Sequence, residues 1–167
     1  MQEQWKPVRE FEDVYEVSNL GRLRRIKATS GHAAGEFKQT RPMLRGYLGV
    51  LLKDKGRKPK QKYLHIMVAE AFVPNPNNLP QVNHLGPKTD CRSSMLEWRS
   101  VEGNILDAMK RGLLGKGNNA GVGLHESGQW YARYWYKRKH HWLGLFTTKE
   151  EALNVRRTAI EALPYVL

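Results

Sequence analysis

One histidine lies in a segment whose residue types could support hydrolysis. The segment is VNHLGPKTDCRSSMLEW, residues 82–98, in which His84 follows Asn83 and precedes a Gly-Pro turn and the single cysteine. A histidine can take a proton from water near neutral pH, and the amide oxygen of an asparagine can bind a hard divalent cation. On residue type alone, a histidine that packs under a loop is the more common case.

Zinc binding and cysteine nucleophilicity are the other chemistries that this segment suggests. For zinc, His84 and Cys91 would have to converge with His65 or His125, and no pair of these has the short spacing that zinc sites use. The residues around Cys91 give no local support for a reactive thiolate. A single cysteine also excludes an internal disulfide, which fits a reducing cytoplasm.

The charge of the chain indicates the class of its partner. The 167 residues include 28 Lys and Arg against 16 Asp and Glu, a formal net charge of +12. Such an excess predicts a polyanionic partner, with nucleic acid first and ribosome, RNA or an anionic membrane surface still open. Two basic runs near predicted strands favour contacts with backbone phosphates. The predicted contacts are Arg22, Arg24, Arg25, Lys53, Lys55, Arg57 and Lys58.

The composition predicts several small modules and a soluble, unexported chain. Hydrophobic residues make up 40% of the chain and charged residues 26%, and the mean hydropathy is -0.64. These values argue against one large core. We find no apolar run of membrane-spanning length and no secretory signal pattern at the N-terminus.

Short elements must position the candidate residues in the first two thirds of the chain. Residues 5–27 have the pattern of a β-hairpin, residues 28–41 of a surface loop and residues 46–52 of a strand, followed by a lysine-rich loop. Residues 62–73 switch to helical spacing, and the helix is expected to end at Pro74. Ser100 is the expected N-cap of a second helix over 101–110.

The last third of the chain predicts a separate module. The segment GLLGKGNNAGVG, residues 112–123, has the composition of a flexible linker. Beyond it, residues 129–146 contain two aromatic, alternating strands, and a helix follows from the Thr148 cap. Strand alternation places Trp130, Ala132 and Tyr134 toward that helix and the intervening side chains on the opposite face.

With these elements in place, the chain resembles a known family. The runs YLHIMVAEAFVPNP (63–76) and VNHLGPKTDCRSSMLEWRSVEGN (82–104) are similar in order and spacing to the phage and group I intron HNH homing endonucleases. The segment WKPVREFEDVYEVSNLGRLRRIK (5–27) resembles the small repeat that commonly precedes these nuclease domains.

The resemblance implies a ββα-metal active site. His84 would be the general base, and Asn83 and Asn104 would hold Mg²⁺ or Mn²⁺, which stabilises the charge on the phosphorane and the leaving 3′ oxygen. The chain departs from the pattern at two positions. The family often has Asp in place of Asn83, and its middle Asn falls on Met95, which cannot make that amide's hydrogen bonds. Met95 is therefore the position where the loop geometry is in question.

A second resemblance covers residues 120–162, which are similar to the plant ethylene-response-type DNA-binding domain, a three-stranded antiparallel sheet packed on one helix. The matching segments are GQWYARY (128–134), WLGLF (142–146) and TKEEA (148–152). The resemblance implies that the outward face of the sheet enters the major groove. The implied contacts are Tyr131, Arg133, Trp135, Lys137, His140 and Trp142. The alternative is a strand whose two faces both pack in a larger core.

The sequence thus predicts an α+β chain of small modules. They are a nuclease-associated repeat (1–45), an HNH (His-Me finger) nuclease domain (46–112), a linker (113–119) and a sheet-plus-helix DNA-binding domain (120–167). The predicted function is a homing-type endonuclease that nicks or cuts duplex DNA as a monomer, in the bacterial cytoplasm if phage-encoded, with no membrane or small-molecule substrate. Two alternatives stay open: a cleavage-deficient DNA-binding regulator or architectural protein, and a protein that binds structured RNA or a ribosome.

Overall fold

The computed structural model describes residues 2–29, 31–113 and 121–164, so most of the predicted linker (113–119) lies outside the described residues. The chain has a mixed α+β fold, as predicted, and divides into two compact units, Met1–Trp98 and Arg99–Leu167. Within the described ranges, none of the helices combines the length and apolar character that crossing a membrane requires.

The first unit begins with a three-stranded antiparallel sheet. Its strands are β1 (Trp5–Pro7), β2 (Tyr15–Ser18) and β3 (Leu23–Arg25), in the order β1-β2-β3. The predicted hairpin is present as β2 and β3. Sequence reasoning missed β1, which is only three residues long and adds to the hairpin through pairs such as Trp5 with Ser18.

A second antiparallel sheet follows, made of β4 (Arg41–Pro42), β5 (Leu48–Asp54) and β6 (Arg57–Tyr63). The prediction of a loop in the lysine-rich stretch is wrong, because most of that stretch forms β6. Its lysines are tolerated in a strand since they alternate with other residues, and Lys60 and Lys62 both pair with Glu10 at 2.6 and 2.5 Å. Hydrogen bonds from these lysines lower the pKa of Glu10 to about 2.

The helix α1 (Leu64–Phe72) comes directly after β6, and a two-stranded sheet of β7 (Gln81–His84) and β8 (Leu96–Arg99) completes the unit. A short 3₁₀ turn, Ser93–Met95, leads into β8. The predicted helix is confirmed, with its start moved from residue 62 to Leu64. Its buried side chains Leu64, Met67 and Val68 share one core with the first two sheets and with Leu96.

Buried polar contacts tie the first sheet to the second. The Arg25 guanidinium donates to the Tyr15 hydroxyl at 2.9 Å and lies 3.7 Å from the Asp54 carboxylate, and both charged side chains are only 5% exposed. The Tyr15 hydroxyl in turn donates to the carbonyl of Lys53 at 2.7 Å. Arg25 was expected to contact DNA; its guanidinium is instead engaged inside the protein.

The second unit contains α2 (Val101–Lys110), β9 (Val122–Leu124), β10 (Trp130–Tyr136), β11 (Lys139–Phe146) and α3 (Lys149–Glu161), with antiparallel sheet order β11-β10-β9. Both predicted N-caps are present: Ser100 accepts from the amide of Gly103 and Thr148 from that of Glu151. The core lies between the sheet and α3, where Ala132 meets Ala152 and Val122. The predicted sheet-plus-helix arrangement is confirmed.

Replacement of Arg25 by alanine should destabilise the first unit strongly. Arg25→Ala leaves the buried Asp54 carboxylate paired with Arg57, which is 41% exposed and also lies 3.7 Å away. The free energy of unfolding should fall by about 3 kcal/mol, because this remaining partner is largely in solvent. Arg24→Ala is the matched control, because Arg24 is one-third exposed and pairs with Glu16 at the surface; its cost should be about 1 kcal/mol or less. Urea denaturation followed by circular dichroism measures both, and equal losses would contradict the structural role of Arg25.

Candidate active site and nucleic-acid interface

His84, at the end of β7, lies in a cluster of rings and is 5% exposed. Its ring centroid is 4.8 Å from that of His65 on α1 and 5.7 Å from that of Tyr47, and Tyr47 stacks on His65 at 4.8 Å. His65 is itself buried and packs between the rings of Tyr47 and His84. Tyr47 was missed, since it precedes β5 and no sequence spacing relates it to either histidine.

One hydrogen bond defines the tautomer of His84. Its Nδ1 lies 3.2 Å from the carbonyl oxygen of Asp90. A carbonyl only accepts, so Nδ1 carries the proton in the neutral ring and Nε2 is the basic nitrogen. Because the Nε2 atom is buried, a water or phosphate can reach it only when the side chains that cover it move aside.

Backbone hydrogen bonds hold the loop after His84, residues 85–95, which we call the histidine loop. The Leu85 amide donates to the Met95 carbonyl, the Asp90 amide to the Pro87 carbonyl and the Met95 amide to the Arg92 carbonyl, each at 2.9 Å. The Met95 side chain packs under the loop, where a Cβ added to Gly86 would come 2.8 Å from its Cε. The loop is therefore shaped without a side-chain amide at position 95.

The donor set beside His84 is composed of oxygen atoms. Asn83 is 7% exposed, and its Nδ2 donates to Glu97 Oε1 on β8 at 2.9 Å. Glu97 was missed because only the pairing of β7 with β8 brings it to Asn83. Amide and carboxylate oxygens suit a hard cation such as Mg²⁺ or Mn²⁺, so these residues fit the expected metal type. Among the described residues, no three His, Cys, Asp or Glu side chains form a metal-binding group.

Asn104, the second expected metal ligand, lies in the first turn of α2 and is half-buried. Its amide donates to the carbonyl of Ser100 at 3.0 Å, the first helical bond behind the N-cap. It belongs to the unit Arg99–Leu167, whereas Asn83 and His84 belong to Met1–Trp98. Its part in metal binding stays a prediction.

Two buried groups near His84 have shifted pKa values. Burial, with a smaller contribution from the charge of His84, lowers the pKa of His65 from 6.5 to about 4. Burial raises the pKa of the Cys91 thiol to about 11. His65 is therefore neutral at physiological pH, and Cys91 remains a protonated thiol, which is a poor nucleophile.

The basic residues of the first unit divide into paired and exposed groups. Arg22 pairs with Glu3, Arg24 with Glu16 and Arg57 with Asp13. Lys53, Lys55 and Lys58 are exposed around the β5–β6 turn. Lys53 also lines a groove of about 500 Å³ together with Lys38, Arg41, Gln39 and Gln61, and no acidic side chain is among the described residues that line it. Sequence reasoning missed Lys38 and Arg41 because they are isolated cations in the segment before β5.

Five of the predicted sheet residues are in ring contacts with one another on β10 and β11. Tyr131 stacks on Trp142 with ring centroids 5.9 Å apart, Trp135 meets His140 edge-on at 4.3 Å, and the Arg133 guanidinium lies 5.3 Å from the Tyr131 ring. The indoles of Trp135 and Trp142 are 51% and 58% exposed. Lys137 is at the tip of the β10–β11 hairpin, where it and Arg138 both have positive φ. The face is thus an exposed aromatic surface with cations.

Comparisons with known proteins show similarity to HNH endonucleases. Residues 3–68 match the NUMOD4 motif, which is found in HNH endonucleases. Two uncharacterized HNH endonucleases of Acanthamoeba polyphaga mimivirus are 37% and 34% identical over 118 and 110 residues, which is 66% and 65% of this chain. This chain spans only 27% and 31% of the length of those relatives.

A solved structure that describes DNA binding and cleavage by the HNH homing endonuclease I-HmuI is similar in fold. The TM-score is 0.56 with 30% identity, over 67% of this chain and 61% of that one. The predicted resemblance to HNH homing endonucleases is confirmed at the level of sequence similarity and fold.

The neutral state of His65 predicts how stability depends on pH. Its pKa is lower in the folded chain than the usual 6.5, so between pH 6.5 and about 4 the unfolded chain binds the proton more readily. The contribution of neutral His65 to the free energy of unfolding is therefore complete above pH 6.5. It is lost as the pH falls, and the loss reaches roughly 3 kcal/mol at pH 4. His65→Phe should flatten this dependence in urea denaturation at pH 7 and pH 4.5. Tyr63→Phe, which alters the neighbouring ring without removing a histidine, should retain the wild-type slope.

Proposed function

We propose that this chain is a metal-dependent HNH endonuclease of homing type that hydrolyses phosphodiester bonds of duplex DNA. The observation that carries the proposal is His84, oriented by the Asp90 carbonyl with Nε2 as its basic nitrogen, at the end of β7 in a fold similar to that of an HNH homing endonuclease. A phage or intron origin and action as a monomer in the cytoplasm are part of the same proposal.

In the proposed reaction, Nε2 of His84 takes a proton from the water that attacks the phosphorus. The bond from the phosphorus to the 3′ oxygen breaks, and the 3′ oxygen takes a proton from solvent. The protonated ring is stabilised because its Nδ1–H already donates to the Asp90 carbonyl. Asn83 and Asn104 would hold Mg²⁺ or Mn²⁺, which when bound supplies positive charge to the phosphate oxygens. Lys88 is exposed, with its ammonium 4.7 Å from the Tyr47 ring, and can contact a phosphate that reaches the cluster.

The two units offer different kinds of DNA contact. The groove with Lys38, Arg41 and Lys53 presents cations without sequence-reading geometry, which suits backbone phosphates. The outward face of the C-terminal sheet carries Arg133, which can bind guanine through two hydrogen bonds in the major groove. The resemblance of residues 120–162 to the ethylene-response-type DNA-binding domain supports a base-reading role for other residues of the sheet. These are Tyr131, Trp135, Lys137, His140 and Trp142.

A direct test is incubation of the full chain with its native flanking DNA and Mg²⁺ or Mn²⁺. Nicked or cut products are expected, and a chelator should prevent them. His84→Ala should lower the cleavage rate by about 10²–10⁴-fold with DNA binding retained. His32→Ala is the control, because His32 is an exposed histidine paired with Glu36, and its cleavage rate should equal that of the wild type. If the chain binds DNA but cuts none of a broad panel of sequences, the proposal that it is an endonuclease is wrong.

A cleavage-deficient DNA-binding protein is the second candidate. The burial of Nε2 and the methionine at position 95 favour it, since a catalytic base must be accessible and its loop correctly shaped. Met95→Asn discriminates between the two candidates in the same assay. Cleavage by the variant alone would assign the natural chain to DNA binding without cutting, whereas cleavage by both would exclude this candidate.

The sheet face should determine binding affinity. Arg133→Ala is expected to weaken binding to a specific site by about 1–3 kcal/mol and to relax the preference for that site over unrelated sequences. Arg157→Ala is the matched control, because Arg157 is an exposed arginine on α3 that donates to Asn154. Fluorescence anisotropy with the specific duplex and with an unrelated duplex measures both variants. Equal effects of the two substitutions would contradict a DNA-reading role for the sheet.

A further inference from the structure

The turn between β2 and β3, residues 18–22, touches the histidine loop through its backbone. Gly21 has φ +77°, and a Cβ added there would lie 3.0 Å from the carbonyl carbon of Cys91 and 3.1 Å from its oxygen. Ser93 follows Arg92 in the loop, and its amide donates to the carbonyl of Asn19 at 2.8 Å. The turn therefore contacts the loop on both sides of Arg92.

The turn is itself rigidly held. The Ser18 hydroxyl accepts the amides of Leu20 and Arg22 at 3.3 and 3.0 Å. The Asn19 side chain accepts the Gln4 amide at 2.8 Å, which anchors the turn to the segment before β1. Ser18 and Asn19 are 0% and 6% exposed. A turn with this many internal bonds can support a neighbouring loop because it does not move with that loop.

The contact is one peptide away from the group that orients His84. Cys91, against which Gly21 lies, directly follows Asp90, whose carbonyl oxygen accepts from Nδ1 of His84. A displacement of the Cys91 backbone would therefore change the direction of the Asp90 carbonyl. The His84 ring would then lose the bond that defines its tautomer.

We propose that Asn19 and Gly21 are positioning residues for His84, and that the N-terminal turn is a structural part of the active site. The turn supports the histidine loop through main-chain contacts. The Met95 side chain cannot give the loop this support, because a thioether does not make the hydrogen bonds of an amide. The catalytic consequence rests on the proposed function, whereas the effect on His84 and its loop does not.

The test compares two glycines in the full chain. Gly56 has φ +83° in the β5–β6 turn, and a Cβ added there would meet no described atom within 4 Å. Gly21→Ala and Gly56→Ala thus impose the same left-handed backbone penalty, but only Gly21→Ala presses on Cys91. The readouts are the nitrogen and proton signals of the His84 ring by nuclear magnetic resonance, assigned with His84→Gln, and the exchange rate of the Ser93 amide.

A second variant guards against misfolding of Gly21→Ala. Ser93→Pro removes the amide that donates to the Asn19 carbonyl, together with the serine hydroxyl. The substitution is at the first position of a 3₁₀ turn, and the preceding residue, Arg92, is already extended at φ -62° and ψ 140°. Ser93→Ala keeps that amide and is its control. Proline is common at the first position of a helical turn, and alanine is compatible with it.

Gly21→Ala and Ser93→Pro should both shift the His84 ring signals, and Gly21→Ala should speed exchange of the Ser93 amide. In the cleavage assay, kcat should fall on the order of a hundredfold with KM for DNA unchanged, since a displaced base loses its reactive geometry. Ring signals equal to those of the Gly56→Ala and Ser93→Ala controls would overturn the inference. A wild-type chain that cuts no DNA would contradict the proposed function instead, because the ring signals and the amide exchange need no cleavage.

Discussion

The buried pair of Arg25 and Asp54 fixes how the first two sheets lie against each other, and the geometry of the first unit depends on that arrangement. The pair, with the Tyr15 hydroxyl, joins the end of β3 to the end of β5. With the sheets in this relation, α1 follows β6 into the shared core and places His65 against His84. Separating the two charges would leave each of them buried without the other, which is costly, so the ends of β3 and β5 stay next to each other.

The parts of the fold that were predictable are those encoded by neighbouring residues. Ser100 and Thr148 mark their helices because a cap bonds to an amide three residues on, and the outward face of β10 follows from the alternation of side chains. The parts that were not predictable depend on distant partners. The lysine-rich stretch becomes β6 only because β5 pairs with it and Glu10 neutralises it. Tyr47 and Glu97 join the site through packing and pairing that spacing does not record.

The surface charge also depends on distant partners that the sequence does not show directly. A count of basic residues overstates the surface that can bind a polyanion, since Arg22, Arg24 and Arg57 each have an acidic partner. The cations of the groove carry no such partner on its described lining. The field that an approaching duplex meets is therefore set by where the acidic residues are placed, and the net charge measures only its sign.

The contact between the N-terminal turn and the histidine loop has a consequence for how such chains diverge. It is made almost entirely by main-chain atoms, namely the Asn19 carbonyl, the Ser93 amide and the Cys91 backbone. The contact therefore depends on a glycine at position 21, on an amide at position 93 and on the Ser18 and Asn19 side chains that hold the turn, and not on a direct side-chain hydrogen bond between the two segments.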